Sequence, residues 1–470
     1  MDDERKVPQG RIGRLARLAA MGAKTGAGAL LGRSGTGSAN HAAEVLGTLR
    51  GLAAKVGQMA SYVDGIVPEG QRQAYEASMK ALQAAAPKSS PAEIRACVES
   101  ELGGPIDRLF ARWSDEPLAS ASIGQVHVAQ LADGREVAVK VQHPGVVQAV
   151  ESDLANAGIL EGFVGLLGGK RFETKKMFAV IRARFREELD YELEANRLSR
   201  FAALHAGDPT VRVPGLVRSH SARRVLTTEL ARGWTFDEAC VAPIAARRSW
   251  AETMWRFVFK GTLRGAMLNA DPHPGNYIFH PEGVVTFLDY GCIQEVEQDH
   301  RARAEDVHRA ALARDEQTFA RAVAVLVKSK PGALEKLAVG YTRQCFEPLF
   351  QSPYHIRRGY AASLVDGMKD MAQAARKVPS GEFFPMPPDM VFVNRLQFGF
   401  YSVLARLDVE VDYATVERTF LAAARSPSGS PTASVVTSQD ADGCAAASAA
   451  PIAPMPATRE EESTPRTRSA

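Results

Sequence analysis

Cysteine is scarce in this chain of 470 residues, and the five that occur are scattered. No two of them lie close together in the sequence, which excludes a local zinc knuckle. Widely separated thiols are typical of proteins that fold in a reducing compartment without disulfides, so we expect a cytoplasmic protein. The five are Cys97, Cys240, Cys292, Cys345 and Cys444.

Long hydrophobic runs are also lacking. The longest apolar stretch, residues 158–169, contains Glu161 and several glycines, whereas a membrane-spanning helix needs about 20 apolar residues. We therefore predict no transmembrane segment, and the N-terminus lacks the apolar core of a secretory signal. Arg11, Arg14 and Arg17 fit either a short basic amphipathic helix on an anionic membrane surface or a solvated tail. Any membrane contact would be peripheral.

An excess of charge of one sign is absent as well. The formal net charge is +3, with 45% apolar and 24% charged residues, which is a globular composition. No basic stripe with interleaved aromatic residues occurs, so we expect no nucleic-acid partner.

The pattern along the chain changes several times. Apolar residues recur at helical spacing over 41–82. Glu116–Val141 predicts strand, loop, strand, turn and strand, with Ala132–Arg135 as the turn. After Ser426 the sequence consists mainly of Ser, Thr, Pro and Ala, which cannot bury enough apolar surface to fold, so we expect disorder there.

Lys140 ends the last of the three predicted strands. Alternation places Val137 and Val139 on one face and Ala138 and Lys140 on the other, so we expect the lysine to enter a cleft. In kinases, a lysine at the end of such a strand binds the α- and β-phosphates of ATP. By itself the pattern also fits a surface lysine on an amphipathic strand.

Two further groups of residues follow along the chain in the order in which kinases have them. Asp271 precedes Asn276 by five residues, and Asp289 begins an Asp-Tyr-Gly triplet after one short predicted hairpin that turns at 281–283. Kinases place a catalytic aspartate and the magnesium ligands at these offsets. A carboxylate and a side-chain amide are oxygen ligands of the kind that Mg²⁺ prefers. Each group alone fits an ordinary turn, but the lysine, the Asp/Asn pair and the triplet together argue against coincidence.

Three parts of a protein kinase are missing. Ala119–Ser122 stand in place of a glycine-rich loop, and their side chains restrict the backbone. Asn269 and Ala270 replace the His-Arg that precedes the catalytic aspartate of kinases, and no Ala-Pro-Glu follows Gly291. The chain therefore has the residue pattern for binding ATP but lacks the activation segment on which a peptide substrate docks. This disfavours a protein Ser/Thr kinase.

These motifs resemble the UbiB/AarF family of atypical kinases and ATPases, whose mitochondrial members serve coenzyme Q biosynthesis. The resemblance covers roughly residues 45–425 and includes the family's Lys-x-Gly-Gln motif. The matching segments are Lys55–Gln58, Ala119–His127, Glu188–Tyr191, Glu194–Asn196, Asp271–Asn276 and Asp289–Gly291.

The resemblance implies a role for each matching residue of the active site. Lys140 would hold phosphate oxygens and pair with Glu194, Asp271 would be the catalytic aspartate, and Asn276 and Asp289 would hold Mg²⁺. The cofactors implied are therefore ATP or ADP with Mg²⁺. The nucleotide-binding residues would be Ala119, Ser120, Ala121, Ser122, Lys140, Glu229 and Ala231.

The resemblance further implies a regulatory group. Lys55 and Gln58 would lie over the active site and meet Glu188 and Asp190. Because Glu188 and Asp190 cannot share a face of a continuous α-helix, either a helix begins or bends there, or only one of them meets Lys55.

The implied fold class is α+β, a bilobal protein-kinase-like fold with a helical N-terminal extension packed on the active site. The predicted parts are a flexible basic leader (1–40), the helical extension with the Lys-x-Gly-Gln motif (41–115), an N-lobe with a helical insert (116–232), a mainly helical C-lobe (233–425) and a disordered tail (426–470).

Two functions remain open from the sequence. The first is a slow ATPase or atypical small-molecule or lipid kinase that supports isoprenoid-quinone or lipid metabolism. The second is a nucleotide-gated scaffold, or lipid-extracting chaperone, of a biosynthetic complex. Implied partners are the nucleotide, a phenolic or isoprenoid lipid, an anionic membrane surface and quinone-biosynthesis enzymes. The oligomeric state is left open, a homodimer included.

Overall fold

The described residues form two lobes, one built on a β-sheet and the other mainly of helices. The predicted leader, the Lys55 and Gln58 motif, most of the helical insert and the tail lie outside these residues. The computed structural model describes residues 89–120, 123–155, 183, 186–377 and 390–421.

Strands and helices are numbered here in chain order over the described residues. The strands are β1 Arg112–Ser120, β2 Gly124–Gln130, β3 Glu136–Gln142, β4 Val211–Arg212, β5 Val225–Glu229, β6 Met267–Asn269, β7 Tyr277–Phe279, β8 Val285–Phe287, β9 Ile293–Glu295, β10 Tyr354–His355 and β11 Glu410–Val411. The helices are α1 Pro91–Leu102, α2 Ile106–Leu109, α3 Val146–Ala155, α4 Tyr191–Leu204, α5 Phe236–Cys240, α6 Ile244–Leu263, α7 Gln298–Leu312, α8 Glu316–Leu326, α9 Ala333–Cys345, α10 Glu347–Phe350, α11 Arg358–Lys377, α12 Met390–Leu407 and α13 Tyr413–Leu421.

The N-lobe sheet contains the three strands that the sequence predicts. Its antiparallel order is β1-β2-β3-β5, and the predicted turn between β2 and β3 is confirmed. The backbone N–H of Leu131 donates to Arg135 across that turn (2.9 Å), and Gly134 has a φ of 88°. Glycine adopts this left-handed conformation without a Cβ penalty. The first strand begins at Arg112, inside the stretch assigned above to the extension.

Side chains alternate between the two faces of the sheet along β3, so that one face packs in the core and the other carries Lys140. Val137, Val139 and Val141 are fully buried and pack with apolar residues of α1 in one core cluster. Lys140 projects from the opposite face, toward α4. The predicted orientation of the lysine is thereby confirmed, and the described part of the N-terminal extension packs on the face away from it. Ser90 is the N-cap of helix α1 and forms a capping box with Glu93.

Helix α4 begins where the sequence left a choice between a bend and a helix start. Asp190 is its N-cap, and its carboxylate accepts a hydrogen bond from the backbone N–H of Leu193 (3.0 Å). The buried Tyr191 and Ala195 then pack the helix against Leu226 of β5. Glu188 and Asp190 therefore do not belong to one continuous helix.

The C-lobe positions the remaining motifs on short strands over a helical core. Helix α6 runs through that core and buries Trp250, Trp255 and Phe257. The predicted hairpin is confirmed, because β7 pairs antiparallel with β8 across the turn at 281–283. After Gly291 the chain forms β9 and enters α7 at Gln298. In the described part of the chain, no helix is long and apolar enough to cross a membrane.

Candidate functional site

Three charged residues meet between the lobes. The Lys140 Nζ lies 2.9 and 3.0 Å from the two carboxylate oxygens of Glu194 on α4 and 3.5 Å from Oδ2 of Asp289. Burial by itself lowers the pKa of Lys140, but attraction by Glu194 and Asp289 outweighs it and raises that pKa well above its ordinary value. The lysine is therefore charged at every physiological pH. The ion pair that the resemblance implies is present in the structure.

Tyr191 forms the floor beneath the lysine. The Lys140 ammonium lies 5.0 Å from the centre of the Tyr191 ring, a cation–π distance. Burial raises the pKa of Tyr191 above its ordinary value, so the phenol stays protonated. The structure adds this residue to the site; its place in the Glu188–Tyr191 motif was the only signal in the sequence.

Asn269 links the catalytic stretch to the Asp-Tyr-Gly triplet. Its Oδ1 accepts from the backbone N–H of Asp271 (3.1 Å), and its Nδ2 donates to the backbone carbonyl of Asp289 (3.1 Å). The sequence marked this residue only as a replacement for histidine. In the structure its side-chain amide bridges the backbones of two predicted active-site residues, Asp271 and Asp289.

The predicted catalytic aspartate and the two predicted metal ligands line one cavity. Asp271, Asn276 and Asp289 all contribute to its wall. The Asn276 Nδ2 donates to the backbone carbonyl of Asp271 (3.1 Å), which leaves the amide oxygen to act as a ligand. One carboxylate oxygen of Asp289 accepts from the backbone N–H of Gly291 (2.9 Å).

This donor set fits Mg²⁺ held together with phosphates. Among the described residues, no group of three or more His, Cys, Asp and Glu side chains could hold a metal ion by itself. Mg²⁺ is usually bound through one or two carboxylates, with phosphate oxygens and water completing the octahedron. Asp289 and Asn276 offer the hard oxygen ligands that such a site needs.

The predicted nucleotide-binding residues lie at two ends of the sheet. Ala119 and Ser120 end β1 opposite Val126 and Gln125 of β2, while Ala121 and Ser122 fall outside the described residues. Glu229 ends β5, where its backbone N–H donates to Gly215 (2.8 Å) and its carboxylate accepts from the Gly215 N–H (3.2 Å). Ala231 follows where the chain leaves the sheet. The nucleotide contacts of Ala119, Ser120, Glu229 and Ala231 stay predictions.

The predicted regulatory group is described only in part. Glu188 is buried, and Asp190 acts as the N-cap of α4. Lys55 and Gln58 lie outside the described residues, so their contact with Glu188 or Asp190 stays a prediction.

Gly399 of α12 touches the catalytic stretch. A Cβ at this position would lie 2.6 Å from Cγ of Pro272, the residue after Asp271. Gly399→Ala is therefore expected to displace the catalytic stretch and to destabilise the fold by about 1–3 kcal/mol, as overpacking does. Calorimetric melting together with nucleotide turnover checks this result.

Gly340 on α9 is the matched control for Gly399. It is also helical, but a Cβ there would meet nothing within 4 Å. Gly340→Ala should stabilise the protein by up to about 1 kcal/mol, because alanine is the better helix former. Equal melting temperatures for the two variants would contradict the packing argument.

Comparisons with known proteins agree on one family. The family model of the ABC1 atypical kinase-like domain matches residues 81–323, which is 243 of 470 residues. "Atypical kinase COQ8B, mitochondrial" of Rattus norvegicus is 32% identical over 311 residues, covering 62% of this chain and 58% of the relative. "Probable protein kinase UbiB" of Marinobacter nauticus is 31% identical over 228 residues, covering 47% and 41%. The chain spans about half the length of these curated relatives.

A solved structure is similar over most of the chain. It is the complex of Rv3197 with erythromycin from Mycobacterium tuberculosis, which is 25% identical in sequence with a TM-score of 0.55. The similarity covers 80% of this chain and 93% of that one. Both lobes described above therefore belong to a known architecture.

Proposed function

The chain belongs to the ABC1 atypical kinase-like family, and we propose that it binds Mg-ATP and Mg-ADP and transfers the γ-phosphoryl group of ATP to an acceptor or to water, releasing ADP, in support of isoprenoid-quinone or lipid metabolism. One observation carries this proposal. Lys140 is held by the Glu194 and Asp289 carboxylates within 3.5 Å, which is the arrangement an active kinase requires of its strand lysine, helix glutamate and metal-binding aspartate.

Each residue has a task that its geometry supports. Lys140 would orient phosphate oxygens, and Asp289 and Asn276 are the residues that would hold the metal ion. Asp271 orients the attacking hydroxyl or water. When bound, Mg²⁺ neutralises charge that develops on the transferred phosphoryl group.

We infer that the acceptor is a small molecule, a lipid or water rather than a protein. The chain passes from Gly291 directly through β9 into α7, which leaves no length for the segment on which protein kinases dock a peptide. A phenolic or isoprenoid lipid presented at an anionic membrane surface fits this acceptor, with quinone-biosynthesis enzymes as partners.

Turnover by the purified protein tests the proposal. We expect slow Mg²⁺-dependent ATP hydrolysis that phenolic lipids or anionic liposomes stimulate, and an Asp271→Asn variant that loses about 100-fold of it, because positioned acid–base groups typically supply that factor. Liposomes of neutral lipid are the control. Turnover that survives Asp271→Asn would refute the assignment of Asp271. Stimulation by peptides but not by lipids would refute the acceptor class.

Nucleotide binding without any turnover, under all of these conditions, would instead favour the scaffold. The juxtaposition of Asp271, Asn276 and Asp289 in one cavity supports turnover, since a protein that only binds the nucleotide has no use for a catalytic aspartate.

A further inference from the structure

Arg197 is a buried arginine on α4, three residues after Glu194. Its side chain is only 5% exposed. One terminal nitrogen, Nη2, donates to the carboxylate of Glu187 (2.5 Å), and the other, Nη1, donates to the backbone carbonyl of Gly291 (3.0 Å). A single side chain thus joins the segment before α4 to the last residue of the Asp-Tyr-Gly triplet.

Fold stability alone does not explain this group. Removing a guanidinium from water costs free energy that an ion pair of good geometry roughly offsets, so a buried ion pair adds little net stability over an apolar pair of similar size. The planar fork of arginine is, however, suited to holding two partners in fixed positions.

Gly291, the first of the two partners of Arg197, also contacts the metal-binding carboxylate of Asp289. The N–H of Gly291 donates to Oδ1 of Asp289 (2.9 Å), while the carbonyl of Gly291 accepts from Arg197. Arg197 therefore contacts the residue whose backbone N–H binds the metal-binding carboxylate.

The partner at Glu187 belongs to a different part of the chain. Glu187 lies directly before Glu188, in the short stretch that also contains Asp190, the N-cap of α4. Arg197 therefore links this stretch to the Gly291 carbonyl through one planar guanidinium group.

We propose that Arg197 is a positioning residue for the metal site: it holds Gly291 by its backbone carbonyl, and through the backbone N–H of the same residue it holds the Asp289 carboxylate in the orientation that would bind Mg²⁺. It also couples that orientation to Glu187. This inference rests on the proposed function, in which Asp289 is a magnesium ligand.

A magnesium titration without turnover tests the inference. The full chain is melted with a fixed concentration of ADP and rising Mg²⁺, and the Mg²⁺ concentration at half-maximal stabilisation is recorded. Arg197→Lys reaches only one of the two partners and should raise this midpoint about fivefold, the effect of one lost hydrogen bond. Arg197→Met should raise it further. A purely structural arginine would lower the melting temperature without ligand and leave the midpoint unchanged.

Arg200→Lys is the matched control. Arg200 lies on the same helix, one turn further on, and pairs with the exposed Glu295 of β9 rather than with a residue of the triplet. The magnesium midpoint of the Arg200→Lys variant should therefore stay at the wild-type value. Glu187→Gln keeps the size of the partner but removes its charge, and should shift the midpoint in the same direction by a smaller factor. This variant decides the matter if substitution of Arg197 prevents folding.

Two results would overturn the inference, and they are distinguishable. If Asp289→Asn loses the magnesium response while the Arg197 and Glu187 variants stay within twofold of wild type, Arg197 does not position the metal site and the proposed function stands. If Asp289→Asn keeps the full magnesium response, the metal assignment itself is wrong, and the inference fails with it.

Discussion

Asp289→Asn is expected to abolish the magnesium-dependent part of the stabilisation that a nucleotide confers. A ligand at about 100 times its Kd stabilises a native protein by about 2.7 kcal/mol, which should appear as a raised melting temperature with ADP and Mg²⁺. The amide lacks the negative charge that holds the ion, although it is nearly the same size as the carboxylate. Melting scans of wild type and variant, each with Mg²⁺ and with a chelator, provide the measurement.

The structure also defines the control for Asp289. Asp133 lies in the exposed β2–β3 turn, where it pairs with Arg135. Asp133→Asn makes the same chemical change far from Lys140 and should leave the magnesium response intact. A variant at Asp289 that responds to Mg²⁺ as fully as wild type would remove this residue from the metal site.

Lys140→Met is expected to have the second large effect, on stability as well as on nucleotide binding. It leaves Glu194, whose side chain is 3% exposed, as a buried carboxylate without its partner. Breaking a buried ion pair by removing one member costs about 3–5 kcal/mol. Glu194→Gln should cost less, because Lys140 keeps Asp289 at 3.5 Å. Chemical denaturation of the three proteins gives the comparison.

A double variant separates stability from function at this pair. Lys140→Met combined with Glu194→Leu removes both charges, so most of the lost stability should return, as it does when a buried pair is replaced by apolar residues. Nucleotide binding should remain lost, since no ammonium is left to hold the phosphates. Recovery of nucleotide binding in the double variant would contradict the role of Lys140, and failure to recover stability would contradict the buried-pair account.

Local features of the chain were predicted well because their causes are local. The period of two along β3 determines which face carries Lys140, and a single glycine at position 134 supplies the conformation of the β2–β3 turn. The placement of Asn276 relative to Asp289 likewise follows from the one hairpin between them. The UbiB/AarF resemblance drawn from these motifs is confirmed by the ABC1 family match, and the bilobal α+β fold is confirmed as well.

The contacts that orient the site could not be predicted in this way. Tyr191 lies under Lys140, Arg197 reaches Gly291, and Gly399 packs on Pro272. Apart from the place of Tyr191 in the Glu188–Tyr191 motif, none of these residues belongs to a sequence pattern. Each acquires its partner only when α4 and α12 pack against strands and loops far away in the chain.

The sequence by itself determined which residues carry charge and oxygen ligands, in what order, and on which face of β3 the lysine projects, since side-chain chemistry and strand periodicity are properties of adjacent residues. Only the tertiary structure decided that Glu194 and Asp289 meet at Lys140, and that Asn269 and Arg197 hold the backbone around Asp289. The physical reason is that these hydrogen bonds and ion pairs join distant segments, which burial of apolar surface in the two lobes brings together. The strength of each contact also depends on the exclusion of water, which no short stretch of sequence specifies.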